Sequence, residues 1–294
     1  MAKKPQSKQV KKQTAPAGAQ PPTITLRWLA GALGVALVAA AVCAYATLAL
    51  LFYQGQWQLV LHPAKTISAT PQAKFDEVRF DVTETGAAQL DGWWIPADPG
   101  SRWSAATVLY LHGATGSLSN YVDDLDALHT LGVNVFAFDY RGYGKSAGPH
   151  PNERRMGVDA EAAWSYLTGI RHLDPIAIVV YGTDIGATLA AELAARHTLA
   201  GLVLETPNEQ AKQIVSVDAR ARILPMWLLL DQRFDPAETL ETSAVPKLFL
   251  DRNPKLPRTL QLYRKSASPK QYFEVESNTY QQVLLRFLDG LNLH

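Results

Sequence analysis

Within VVYGTDIGATLAAELAA, residues 179–195, the segment Gly182-Thr183-Asp184-Ile185-Gly186 has the spacing of a covalent catalyst. Apolar residues run into the turn and a small-residue helix follows it. This is the outline of a nucleophile elbow, G-x-S-x-G, with Asp184 at the serine position. An elbow lifts one side chain above a sheet, and the N–H of the next residue, here Ile185, helps hold a developing oxyanion. Gly182 and Gly186 supply the clearance such a turn needs. A carboxylate with a pKa of about 3.9 is ionised at neutral pH and needs no base to attack. It would attack saturated carbon and leave an ester, which water must then hydrolyse with help from a general base. Attack on an acyl ester would give a mixed anhydride, so ordinary esters are poor targets.

A second stretch supplies the complementary half of such a site. In LYLHGATGSLSN, 109–120, a buried strand runs into His112, Gly113 and small residues. Gly113 lets the backbone turn so that the Ala114 N–H points at developing negative charge. FDYRGYGKSAG, 138–148, is a polar, glycine-rich loop at a strand's C-terminal end, the side on which α/β folds place their sites. Arg141 is expected to bond loop backbone there, and Ser146 reads as a turn residue rather than a substitute nucleophile.

The elements that must position these residues follow a regular order. FDEVRFDV (75–82) and QLDGWWIPA (89–97) alternate well enough for an antiparallel opening pair. Continuous apolar runs come next, at 107–111, 133–139, 176–182, 201–205, 247–251 and 271–275, each followed by a helical stretch. Unbroken apolar strands suit a sheet buried on both faces, and alternation with helices implies parallel crossovers. The expected fold is α/β: an eight-stranded, mostly parallel sheet with helices on both faces, in one domain over residues 75–294. Between residues 207 and 246, the apolar ILPMWLLLD is expected to form short helices over the site or facing a membrane, with Met226 and Trp227 packing.

Before the domain, residues 1–27 carry six basic residues and no acid, so the remainder of this +1 chain is at −5. No basic face is left to argue for nucleic acid. Residues 1–25 are rich in Lys, Gln, Pro and Ala and are expected to be a disordered tail. Trp28–Tyr53 carries no charge, and about 20 apolar residues suffice to cross a bilayer. A buried core helix or a cleaved signal ending near Ala44-Tyr45-Ala46 are the alternatives. Continuation of the run through Leu48–Phe52 favours an uncleaved anchor over 26–53, with a linker at 54–74. The basic tail implies a cytoplasmic N-terminus in the plasma (inner) membrane and an extracytoplasmic domain, periplasmic in a Gram-negative cell. The single cysteine, Cys43, allows no internal disulfide and no cysteine-based metal site. No metal or cofactor is expected.

YQGQWQLVLHP, LHG, FDYRGYGKSAG, PNE…DAEAAWSYL, VVYGTDIGATLA and GLVLETP together resemble the membrane-anchored α/β-hydrolase-domain family. That family is related to serine hydrolases of lysophospholipase, depalmitoylase and peptidase type. The resemblance implies the α/β-hydrolase fold over roughly residues 50–290 and a triad that can be sought position by position. Its histidine should lie after the last strand, where this chain reads ESNT (276–279) with none. Of the seven histidines, His150 is the substitute candidate, in a loop on the site side; His294 ends the chain. The family's acid should follow the seventh strand, where LDRNPKLPRTLQLY (250–263) puts Asp251 too early. Glu205, ending the sixth strand, is an alternative acid or a structural residue. Aspartate elbows work in dehalogenase and epoxide hydrolase branches of this superfamily, but with a histidine. Loss at three separate loops favours a pseudoenzyme that binds a lipid-like or acyl ligand or a protein partner. The alternatives are a hydrolase using Asp184 with an unrecognised base, or a weak esterase-like hydrolase.

Overall fold

The computed structural model describes residues 25–81, 89–207, 211–252, 254, 257–276, 278–291 and 293. The expected tail therefore lies, apart from Thr25, outside the described residues. Two compact units divide the chain, Met1–Leu48 and Ala49–His294. Helix α1, Leu26–Gly55, is built from Leu, Ala, Val and Gly with no proline to break it. Its most apolar 18-residue window has a mean hydropathy of 2.4 and is only 6% buried. The helix is long and apolar enough to cross a membrane, since its 30 residues rise about 45 Å against a hydrocarbon core of about 30 Å.

In the second unit, strands β1 (Asp76–Asp81), β2 (Gln89–Ile95), β3 (Thr107–Leu111), β4 (Asn134–Asp139), β5 (Ile178–Thr183), β6 (Gly201–Glu205), β7 (Lys247–Asp251) and β8 (Lys270–Glu274) form one sheet. Their spatial order is β8-β7-β6-β5-β3-β4-β2-β1. β1 and β2 pair antiparallel, β2 meets β4 antiparallel, and the other pairs are parallel. This is the expected eight-stranded α/β-hydrolase sheet. β5 starts two residues later than its apolar run because Pro175–Ala177 forms a 3₁₀ turn, capped by the Asp174 carboxylate on the Ile176 N–H.

Alternation along the buried strands feeds two cores. Val108 and Tyr110, Val135 and Ala137, Val179 and Tyr181, and Leu248 and Leu250 face one of them. Helices α2 (Val122–His129) and, at the C-terminus, Tyr280–Asp289 close that core through Leu125, Leu128, Val283, Leu284 and Phe287. On the other face Phe136 and Phe138 pack with Phe80, and Phe136 meets Tyr166 just beyond α3 (Glu153–Ser165). Helix α4 (Gly186–Arg196) packs on α3 and follows β5 directly.

The expected linker at 54–74 is instead part of the folded unit. Trp57–Val60 makes a helical turn, Val60 and Leu61 are buried, and His62-Pro63 pairs in parallel with Thr115-Gly116. Residues 211–242 form short turns, including Ala211–Ser216, Met226–Leu229 and Ala237–Thr242. Trp227 does not pack: it is 87% exposed.

Candidate active site

Strand β5 delivers the chain to Asp184, which turns in the left-handed region at φ 55° before Gly186 opens α4. Aspartate is among the few non-glycine residues that tolerate this conformation. The turn is tight enough that a Cβ on Gly182 would lie 2.3 Å from the Gly186 carbonyl oxygen, and one on Gly186 would lie 2.1 Å from that of Leu111. The Asp184 N–H donates to the Glu205 carbonyl at 3.0 Å, tying the turn to β6. Ile185 follows in helical conformation (φ −66°, ψ −27°), buried.

Gly113 and Ala114 lie against this turn. The Ala114 N–H donates to Asp184 Oδ2 at 2.8 Å. A Cβ on Gly113 would sit 2.8 Å from the same oxygen and 2.9 Å from Tyr121 Oη, so the approach requires glycine. The sequence brings Asp184, Gly113 and Ala114 together as expected, but with one difference. The N–H expected to await a substrate's charge holds the chain's own carboxylate, because aspartate reaches about one atom further than serine and carries the charge itself.

Beneath Gly113 is an aromatic floor whose role spacing alone could not reveal. Tyr121, Tyr140 and Tyr143 surround the fully buried His112 ring at centroid distances of 5.4, 4.4 and 5.0 Å. Their hydroxyls donate to the carbonyls of Thr115, His112 and Ala114, at 3.0, 3.2 and 2.8 Å. Burial lowers the His112 pKa to about 4, so the ring is neutral. Its Nδ1–H donates to the Gly113 carbonyl at 2.8 Å, leaving Nε2 without a hydrogen-bond partner, 3.6 Å from Asp139 Oδ1. The tyrosines of FDYRGYG thus brace the turn's backbone. Ser146 is buried with its hydroxyl donating to the Asp139 carbonyl and accepting the Asp91 N–H at 2.9 Å. Arg141 turns away from the loop backbone to Asp159 and the Arg155 carbonyl on α3, since a buried carboxylate demands a cation.

Glu205 belongs to a buried polar network. It is 2% exposed, accepts from Tyr181 Oη and pairs with Arg252, which also holds Asp124 at 2.9 Å. Tyr181 and Tyr280 hydroxyls meet at 2.9 Å. This network borders a polar cavity of about 470 Å³ lined by Asp124, Arg252, Glu276 and Tyr280. Glu276 and Thr279 bond each other: the Glu276 N–H donates to Thr279 Oγ1 at 3.1 Å, and that hydroxyl donates back to the Glu276 carbonyl at 3.1 Å. Asp251 is buried and accepts from Tyr272 Oη at 3.1 Å. His150 stacks on Trp57 at 4.9 Å and contacts Arg155. His294 lies outside the described residues. Among the described residues no group of three or more His, Cys, Asp or Glu could hold a metal.

Burial of these carboxyls makes a prediction. Desolvation raises Asp139 and Glu205 to about 7 and Asp159 to about 6, from ordinary values of 3.8, 4.5 and 3.8. Asp91, Glu153 and Glu192 shift the same way for the same reason. His112 opposes them, being neutral when folded and protonated when unfolded below pH 6.5. Between about pH 4.5 and 7 the folded chain therefore retains more protons than the unfolded one, and stability falls as pH rises. The folded state is expected to be more stable at pH 5 than at pH 8, by on the order of 1 kcal/mol or more. Thermal unfolding of the full chain at the two pH values checks this; a higher melting temperature at pH 8 contradicts it.

Comparison with known proteins adds the following. A family model described as serine aminopeptidase, S33, matches residues 103–261. An uncharacterized protein of Mycobacterium tuberculosis is 31% identical over 246 residues, covering 82% of this chain and 84% of that protein. Human alpha/beta hydrolase domain-containing protein 17B is 32% identical over 149 residues, 49% of this chain and 50% of its own length. Among solved structures, a Pyrococcus furiosus esterase superposes with a TM-score of 0.60 at 21% identity, over 79% of this chain and 99% of that one. A Xanthomonas campestris serine hydrolase without lid does so with a TM-score of 0.53 at 17% identity, over 75% and 96%.

Proposed function

The chain belongs to the α/β-hydrolase family described as serine aminopeptidase, S33, and on that premise we propose that it is a membrane-tethered, non-catalytic member that acts by binding. One observation carries the reading. Asp184 stands at the nucleophile position with its Oδ2 on the Ala114 N–H at 2.8 Å, so the carboxylate occupies the place of a reaction oxyanion. A plugged oxyanion hole removes the donor that stabilises acyl transfer. A nucleophile held there by its own hydrogen bond is turned from substrate toward backbone. Two further features support the reading: the 276–279 loop carries no histidine, and Glu205 is engaged with Arg252 and Tyr181.

The tether rests on α1. A soluble core helix is mostly buried, whereas this one's apolar window is 6% buried. With six basic residues before the span, the tail stays cytoplasmic and the domain lies across the membrane. The polar cavity beside Glu205 is the place for a ligand or partner group.

The second reading, Asp184 as an attacking carboxylate, has its own test. Incubation of the full chain with alkyl halide, epoxide and ester substrates in ¹⁸O-water is expected to leave the Asp184 peptide unlabelled, with turnover at the uncatalysed rate. Label accumulating in Asp184 during turnover would establish the ester intermediate and defeat the non-catalytic reading.

A further inference from the structure

Beyond α1, eight large apolar residues are exposed among the described residues, and four of them, Val217, Ile223, Trp227 and Leu228, fall between 217 and 228. Apolar residues exposed singly are ordinary, but such a concentration marks a surface that something covers. The fold holds this surface in place. The Leu228 and Leu229 N–H groups donate to the Pro225 carbonyl at 2.9 and 3.1 Å, closing the Met226–Leu229 turn. Behind the turn, the buried Gln56 side chain donates to the Leu229 carbonyl at 2.8 Å and accepts the Asp231 N–H at 3.1 Å. Glu153 then accepts the N–H groups of Arg233 and Phe234 at 2.5 and 2.7 Å. With its backbone fastened on both sides, the turn presents Trp227 and Leu228 to the outside at 87% and 66% exposure.

What covers the surface follows from what adjoins it. The last residues of α1, from Ala49 to Gly55, belong to the second unit. Phe52 is buried there with the Arg220 guanidinium over its ring at 5.3 Å, while Leu50, Leu51 and Tyr53 are exposed. The Gln56 side chain that holds Leu229 also donates to the Tyr53 carbonyl at 3.1 Å. The exposed turn is therefore joined directly to the end of the apolar helix. Residues 219–230, ARARILPMWLLL, contain two arginines and no acid. Arg220 pairs with Asp218 at 2.9 Å; Arg222, beside Ile223, is exposed and forms no ion pair among the described residues. Tryptophan and leucine with an arginine alongside suit the headgroup region of a bilayer: the indole has one side apolar and one wet, and the cation meets phosphate.

We propose that the segment from Ile223 to Leu228 is a second membrane contact, seated in the interface of the same bilayer that α1 spans, with Ile223, Trp227 and Leu228 among the acyl chains and Arg222 at the phosphates. The proposal rests on α1 being a membrane tether and goes beyond it, because a tether alone leaves the domain free to turn. The seat also sets which way the domain faces. From Gln56 the chain runs through Trp57–Val60 to His62-Pro63, which pairs with Thr115-Gly116 next to Ala114. The contact thus lies on the Asp184 side of the sheet, and seating turns that side toward lipid. Asp98, exposed just after β2, marks the opposite end, since Ile95 pairs with Val135 at the start of β4.

The test uses the full chain in vesicles of phosphatidylcholine and phosphatidylglycerol. Cys43→Ala removes the only cysteine, so that Ile223→Cys, Trp227→Cys or Asp98→Cys can each carry a single fluorescent label. Labels at 223 and 227 are expected to be quenched by lipids bearing a nitroxide high on the acyl chain and shielded from iodide in the water. The label at 98 should be quenched by iodide alone. Changing Trp227 and Leu228 together to serine, at exposed positions, should leave melting in detergent unchanged and bring lipid quenching at Ile223→Cys down to the level at 98. Iodide quenching as strong at 227 as at 98 on a chain that floats with the vesicles overturns the seat and leaves the tether standing. Lipid quenching at 223 that survives the double serine change also overturns it. A 227 label shielded from iodide yet untouched by lipid nitroxide puts a second copy of the chain over the surface and overturns the lipid assignment. Failure to float overturns the tether and the seat with it.

Discussion

Replacing Gly186 with alanine is expected to abolish folding of the second unit or lower its melting temperature by about 6–12 °C. The added Cβ would sit 2.1 Å from the Leu111 carbonyl oxygen and 2.8 Å from that of His112. Both are backbone atoms at the end of β3, in the middle of the sheet, where nothing can retreat without breaking the β3–β5 pairing. Overpacking against side chains costs about 1–3 kcal/mol, and against fixed backbone the upper end or more applies. At about 2–4 °C per kcal/mol for a domain of this size, that gives the stated loss. Gly182→Ala should behave alike, its Cβ falling 2.3 Å from the Gly186 carbonyl. Gly157→Ala provides the opposite sign. In the interior of α3 its Cβ meets only the flexible Glu192 Oε2 at 3.3 Å, and helix propensity favours it by about 0.5–1 kcal/mol. Thermal unfolding of the three variants in one detergent checks the pattern; a Gly186→Ala variant as stable as wild type would refute the close approach. The outcome bears on why the motif remains. Both glycines are required by packing whatever residue stands at 184, so the glycine spacing alone says nothing of the chemistry at that position.

This also explains which parts of the molecule were legible in the sequence. The eight strands and their mostly parallel pairing were readable because each central strand is buried on both faces and appears as an unbroken apolar run, and because helices between them impose parallel crossovers. The turn was readable because Gly182 and Gly186 have a steric reason that leaves few alternatives. The packing of residues 54–74 was not, because Val60 and Leu61 sit in a stretch with no period long enough to mark it as core. Arg141 was placed wrongly for a related reason: its partner Asp159 lies 18 positions away, and a loop arginine's nearest backbone is the default. The occupation of Ala114 could have been suspected. Aspartate carries a charge and reaches about one atom further than serine, and a backbone N–H facing the turn attracts the nearest anion. Trp227 was misread since a tryptophan beside leucines is ordinarily core, and only its exposure of 87% separates packing from an interfacial role.

The same contact yields a prediction whose sign separates the two readings of Asp184. Asp184→Gly removes the carboxylate from the Ala114 N–H and leaves a residue that adopts φ 55° without strain. Lost hydrogen bonding of about 1.5–3 kcal/mol is then partly offset by about 1–2 kcal/mol of relieved left-handed strain, so the fold should persist. If the carboxylate plugs the hole, its removal uncovers a donor. One such donor is worth about 10²–10³ in rate where a full machinery uses it. With no histidine at 276–279 to activate water, only part of that is recoverable, and hydrolysis of an activated ester such as p-nitrophenyl acetate should rise about 10-fold or more over wild type. Asp184→Asn keeps an oxygen for the Ala114 N–H and should stay at the wild-type level. A nucleophilic Asp184 requires the reverse: a wild type above background, with both variants falling to the water rate. Initial rates of the three proteins, corrected for buffer hydrolysis, decide the matter, because removal of the residue at the nucleophile position can raise the rate only where that residue obstructs.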